Sequence, residues 1–104
     1  MVYLLNSPVL TAFGDYQYRP CSIEEAKQLL AHGFVSAVGH AATAQFLSVL
    51  LGKSIEVNRI KVAMQPGERA LVFALKTRLE EAQVLDEQAI SQVEFELALL
   101  QRQA

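Results

Sequence analysis

The sequence predicts a single α/β domain: a mixed sheet of about five strands with about three helices. Three observations carry that prediction. Short apolar or period-two runs bounded by turn residues recur along the chain, as at Val2–Leu5, Ala70–Lys76 and Glu94–Leu99. Two stretches with helical start and stop signals lie between them. Finally, no linker, repeat or low-complexity segment divides the 104 residues, so one core over residues 1–104 is expected.

Taken in order, Val2–Leu5 suits a buried strand, ended by Asn6-Ser7-Pro8, whose side chains and proline favour a turn. Gly14-Asp15 breaks the next stretch, after which Tyr16-Gln17-Tyr18 alternates like a short edge strand. Ser22-Ile-Glu-Glu25 is a capping-box pattern and Gly33 a left-handed stop, which predicts a helix over Ile23–Ala31. Phe34–Val38 reads as a brief strand or an extended lead-in to a second helix, Ala41–Leu51, stopped by Gly52. Val57–Met64 has the period-two pattern of a half-buried strand. The turn Gln65-Pro66-Gly67-Glu68 then predicts a hairpin with the continuous apolar run Ala70–Lys76, a central strand. Asp86 can cap a short third helix to about Gln92, and Glu94–Leu99 closes the sheet. The helices are expected to cover mainly one face.

The composition narrows the function classes. A hydrophobic fraction of 52% against 19% charged residues describes a globular chain, slightly richer in apolar residues than usual, which suits an oligomer interface. No apolar run is long enough to span a bilayer, and no basic-then-apolar opening resembles a secretion signal. With Cys21 the sole cysteine, a cytoplasmic, reducing compartment is expected. A net charge of −2 argues against duplex nucleic acid. Yet Lys53, Arg59, Lys61, Arg69, Lys76 and Arg78 cluster within residues 53–78, opposed there only by Glu56 and Glu68. A small anion held by a few arginines fits this distribution better than a polymer.

Two constellations bear on chemistry. His40 stands between Gly39 and Ala41-Ala42-Thr43 at a helix start, where unsatisfied N–H groups and the positive helix end favour an anion. Histidine there also suits proton transfer near neutral pH. A packed or capping histidine explains the same residues, and locally it explains them better. The second constellation is KTRLEE, residues 76–81, where Arg78 offers a planar fork for phosphate oxygens and Glu81 can orient it. A solvated strand end with a surface ion pair is again the simpler local reading. Asn6-Ser7 ends the first strand and Asn58-Arg59 lies in a strand of the basic segment; strand-end loops often hold ligands, but turn capping for Asn6 and surface solubility for Arg59 are the simpler readings. His32 merely suits a helix C-terminus. No Walker loop, dinucleotide fingerprint, zinc spacing or nucleophile elbow is present, so neither a metal nor a cofactor is expected.

The blocks VYLLNSPVLT, GFVSAVGHAATAQFLSVLLG, VNRI and ALVFALKTRLEE, in that order, resemble the viral ring nuclease family across nearly the whole chain. The resemblance implies a two-fold homodimer that binds cyclic tetra-adenylate, the second messenger of type III CRISPR immunity, and cleaves it without metal. It implies catalytic roles for His40, Arg78 and Glu81. It also implies ligand contacts at Asn6, Ser7, Thr11, Gly39, Ala41, Thr43 and Arg59, with Arg78 binding phosphate as well. Two alternatives stand beside it: sequestration of the same messenger without cleavage, and a small viral regulator that binds DNA or a host protein.

Overall fold

Why residues 53–65 form no strand, although they alternate like one, follows from the order of the sheet. The computed structural model describes residues 2–6, 12–75 and 94–104. Within them the chain runs β1 (Val2–Leu5), β2 (Tyr16–Pro20), α1 (Ile23–Leu30), β3 (Val35–Ala37), α2 (Ala41–Leu51), β4 (Arg69–Leu75) and β5 (Phe95–Arg102). The five strands form one mixed sheet in the order β2-β5-β4-β1-β3. β1 lies parallel to both β3 and β4, whereas β5 runs antiparallel to both β4 and β2. Both flanks of β4 are therefore taken, by β1 and β5, and no edge remains for the predicted hairpin. The expected five-stranded α/β architecture holds with this one exchange: β3 completes the sheet in place of Val57–Met64. The third helix expected at 86–92 lies outside the described residues.

Alternation along each strand divides the core in two. Leu4, Leu71, Phe73 and Leu97 face α1 and α2, joining Ala26, Leu30, Phe46 and Leu47 in one buried cluster. Phe46, Phe73 and Phe95 meet there with ring centroids 5.4 to 5.6 Å apart, in tilted and edge-on arrangements that suit aromatic quadrupoles. The alternate residues Leu5, Ala70, Val72, Ala98 and Leu100 point to the other face, which buries a second cluster. Cover for that face comes from Val62 and Met64. Thus the helices keep to one side, as expected, but the opposite side is covered too.

Residues 53–65 make that cover by passing around the sheet. After α2, Ile55 still belongs to the helix-side cluster and its amide bonds to Ser48 Oγ at 3.0 Å. The chain then follows the outer edge of β3: Ser36 Oγ donates to Glu56 O at 2.7 Å, Asn58 N–H to Val38 O at 2.8 Å, and Asn58 Nδ2 to Ser36 O at 2.8 Å. Beyond the edge it crosses the second face. The period-two signal was real, since an extended segment alternates whether or not it joins a ladder, but Val57 and Ile60 are exposed. This strap also shields β3 from edge-to-edge pairing.

The two helices start differently. Ser22 caps α1 in a complete box, its Oγ accepting from Glu25 N–H at 3.1 Å while Glu25 Oε1 accepts from Ser22 N–H at 3.3 Å. Glu24 and Glu25 place negative charge in that first turn. α2 has His40 at the cap position without a side-chain capping bond, and no acid in its first turn. No helix among the described residues is long and apolar enough to cross a membrane.

Candidate functional site

β1, β3 and β4 all point their C-terminal ends the same way, with β1 between the other two. Crevices outside such strand ends are where open α/β sheets bind ligands. Asn6 follows directly on β1, and Val38-Gly39-His40 follows β3 into α2. Because Leu5 stands beside both Ala37 and Val72, these segments leave the sheet as neighbours.

Arg59 reaches the same place from a distant part of the chain. The strap holds it at the turn after β3, where its Nε donates to Gly39 O at 2.7 Å. That bond uses one N–H of the guanidinium and leaves the terminal amino groups as donors for an oxyanion. The glycine has a steric reason: a Cβ at Gly39 would lie 3.0 Å from Arg59 Cγ. Asn58, one residue earlier, fixes the approach through its two bonds to β3 and the residue after it.

His40 has extended backbone angles, φ −129° and ψ 125°, and its carbonyl accepts the first helical bond from Ala44 N–H at 3.0 Å. Its ring Nδ1 lies 3.5 Å from Thr43 Oγ1, a long contact. Thr43 is buried, so its hydroxyl faces the histidine rather than open solvent, whereas Ala41 is exposed on the rim. With no acid in the first turn and no side-chain cap, the positive end of α2 is not neutralised from within the helix. An anion placed there meets helix N–H groups, the Arg59 guanidinium and an imidazole.

Of the residues expected at the site, the structure brings together Gly39, His40, Ala41, Thr43 and Arg59, with Asn6 on the adjoining strand end. Ser7, Thr11, Arg78 and Glu81 lie outside the described residues. Sequence reading missed Ser36 and the anchoring role of Asn58. The signal available was the placement of polar side chains, able to bond backbone, inside otherwise apolar runs.

Comparison with known proteins follows the same lines. The profile of the STIV B116-like family matches residues 2–97. Protein ORF117 of Acidianus two-tailed virus is 41% identical over 110 residues, covering 98% of this chain and 93% of that protein. A relative outside the viruses, YddF of Bacillus subtilis (strain 168), is 35% identical over 104 residues, covering 97% and 96%. Among solved structures, B116 of Sulfolobus turreted icosahedral virus superposes with a TM-score of 0.82 over 97% of this chain and 98% of that one. Its sequence identity is 24%, so this likeness speaks to the fold.

Proposed function

The chain belongs to the STIV B116-like family, and on that premise we propose that it is a metal-independent phosphodiesterase that opens cyclic tetra-adenylate and so switches off type III CRISPR immunity. The observation that carries this reading is the meeting of His40 and Arg59. Nineteen positions apart in sequence, they share one turn at an uncapped helix start, with Arg59 bonded to the carbonyl of Gly39 next to the histidine. A phosphate diester is the substrate class such a turn suits: the arginine and helix N–H groups take the charge on its oxygens, and the imidazole handles a proton.

The step needs no external nucleophile. A ribose 2′-hydroxyl gives its proton to solvent water and its oxygen bonds to the adjacent phosphorus, while the bond from phosphorus to the 5′-oxygen breaks. His40 gives its proton to that leaving oxygen, a contribution of about two to four orders of magnitude. Thr43 acts behind it: a hydroxyl at Nδ1 favours the ring orientation in which Nε2 faces the substrate. Arg59 anchors a phosphate. Arg78 stabilises the phosphate in the transition state and Glu81 holds Arg78 or the ribose in register, roles that the family resemblance gives to these two through the motif RLEE. A two-fold homodimer supplies the set twice, matching a four-nucleotide ring and releasing two di-adenylates with 2′,3′-cyclic phosphate ends. The surplus of apolar residues, with Phe13, Val49, Val57 and Ile60 exposed on the single chain, suits such an assembly.

The test is cleavage of radiolabelled cyclic tetra-adenylate in EDTA by the wild type and by His40→Ala. The reading expects di-adenylate from the wild type, and binding without cleavage from the variant. Binding without cleavage by both proteins would replace it with sequestration of the messenger. Absence of binding would abandon it.

A further inference from the structure

A cavity of about 440 Å³ opens at the other end of the sheet from His40, between the last turn of α1 and the helix-facing side of β1, β4 and β5. Its polar walls are Arg19, Arg69, Gln28, His32 and Glu25, and its apolar floor includes Leu29 and Leu99. The sheet register explains the arrangement. Arg19 stands opposite Leu99, Leu99 stands opposite Leu71, and Arg69 lies two residues before Leu71. All therefore point to the same face, and the two arginines rise from the strands flanking β5, about 12 Å apart at the backbone, with Leu99 between them.

We propose that this cavity is a second binding site, distinct from the His40 turn, for a small organic anion: an apolar body bearing a phosphate or carboxylate. The two guanidinium groups supply forked donors for an oxyanion, Gln28 and His32 add further donor capacity, and the Leu29–Leu99 floor takes the body. The arginines are available. Arg19 meets Glu25 only at 3.8 Å with both side chains about half exposed (49% and 54%), a weak pair, and Glu25 already accepts from Ser22 N–H in the capping box of α1. No ion pair engages Arg69 among the described residues. Cys21, also in the wall, is held as a thiol, since burial and the Glu25 charge push its pKa up against the smaller opposing pull of Arg19. The cavity is accordingly a place for binding and not for thiolate chemistry.

The experiment is an amide chemical-shift titration of the full chain with phenyl phosphate, benzoate and inorganic phosphate as probes, repeated on Arg69→Gln and Arg19→Gln. Both arginines project from the protein surface, and the amide spectrum of each variant reports whether it is folded. Expected are saturable shifts at Val2, Cys21, Leu29 and Gly33 with at least one organic probe, and binding weakened about tenfold or more in at least one variant. A response to phenyl phosphate alone or benzoate alone identifies the favoured head group. The proposal is overturned if neither organic probe gives saturable shifts at these amides. Equal affinity for inorganic phosphate, which removes the role of the floor, or unchanged affinity in both variants overturns it as well.

Discussion

At the scale of single residues, Gly39 and Arg59 are fitted to one another. The arginine lies across the glycine, and even one methyl group would meet it at 3.0 Å. Gly39→Ala is expected to lower affinity for cyclic tetra-adenylate about tenfold, by displacing a charged hydrogen-bond donor, while the melting temperature hardly moves. Isothermal titration and a thermal melt separate these effects. Tyr3 makes a second prediction. Burial, then the charge of Glu68 and a hydrogen bond with it, hold the phenol above its ordinary pKa. The folded chain thus keeps this proton more tightly than the unfolded chain. The resulting stability is fully present below the unfolded phenol's pKa and is lost as pH rises through the folded value, which places the loss above about pH 10. Urea melts across that range should fall less steeply for Tyr3→Phe than for the wild type.

At the scale of elements, the contrast between the two helix starts separates folding from function. α1 satisfies its own N-terminus with Ser22 and Glu25, while α2 leaves its positive end to something outside the helix. Supplying the missing charge tests this directly. Ala41 is exposed in the first turn, and Ala41→Glu should stabilise the fold by about 0.3–1 kcal/mol through the helix dipole. The same change should nearly abolish binding of the anionic ring, so a thermal melt and a binding assay should move in opposite senses. The elements also show what was legible in the sequence. The capping box, the Gly52 stop and the apolar run of β4 read correctly because local chemistry decided them. Val57–Met64 misread because strand membership is not local: it depends on whether a neighbouring edge is free, and β1 and β5 occupy both edges of β4. For the same reason His40 was legible as a helix start but its encounter with Arg59 was not, since only the path of the strap around β3 brings them together.

At the scale of the whole molecule, the sheet has buried side chains on both faces, and its thicker layer turns on Phe46, Phe73 and Phe95. Phe73 is fully buried in the central strand. Phe73→Ala should cost about 3–5 kcal/mol, a large part of the stability of a domain this size, and denaturant unfolding would register it. The loss should be global because β4 contacts strands on both sides. The ends of the molecule divide the remaining tasks: the outlets of the parallel strands carry the His40 turn, and the opposite end holds the arginine-walled cavity.

That opposite end is fastened in a way that bears on which positions are free to vary. Arg102, at the end of β5, donates from its guanidinium to the carbonyls of Met64, Phe13 and Ala104, while its own backbone bonds with Glu68 and Gly67. Its side chain thereby ties the strap, the segment before β2 and the end of the chain to one another. Every acceptor in that clasp is a main-chain oxygen, which any amino acid provides. Drift in the side chains at 13 and 64 therefore leaves the fastening intact, whereas a change at 102 releases three segments at once. Among related chains, a guanidinium at this position should persist while the sequences it grips diverge.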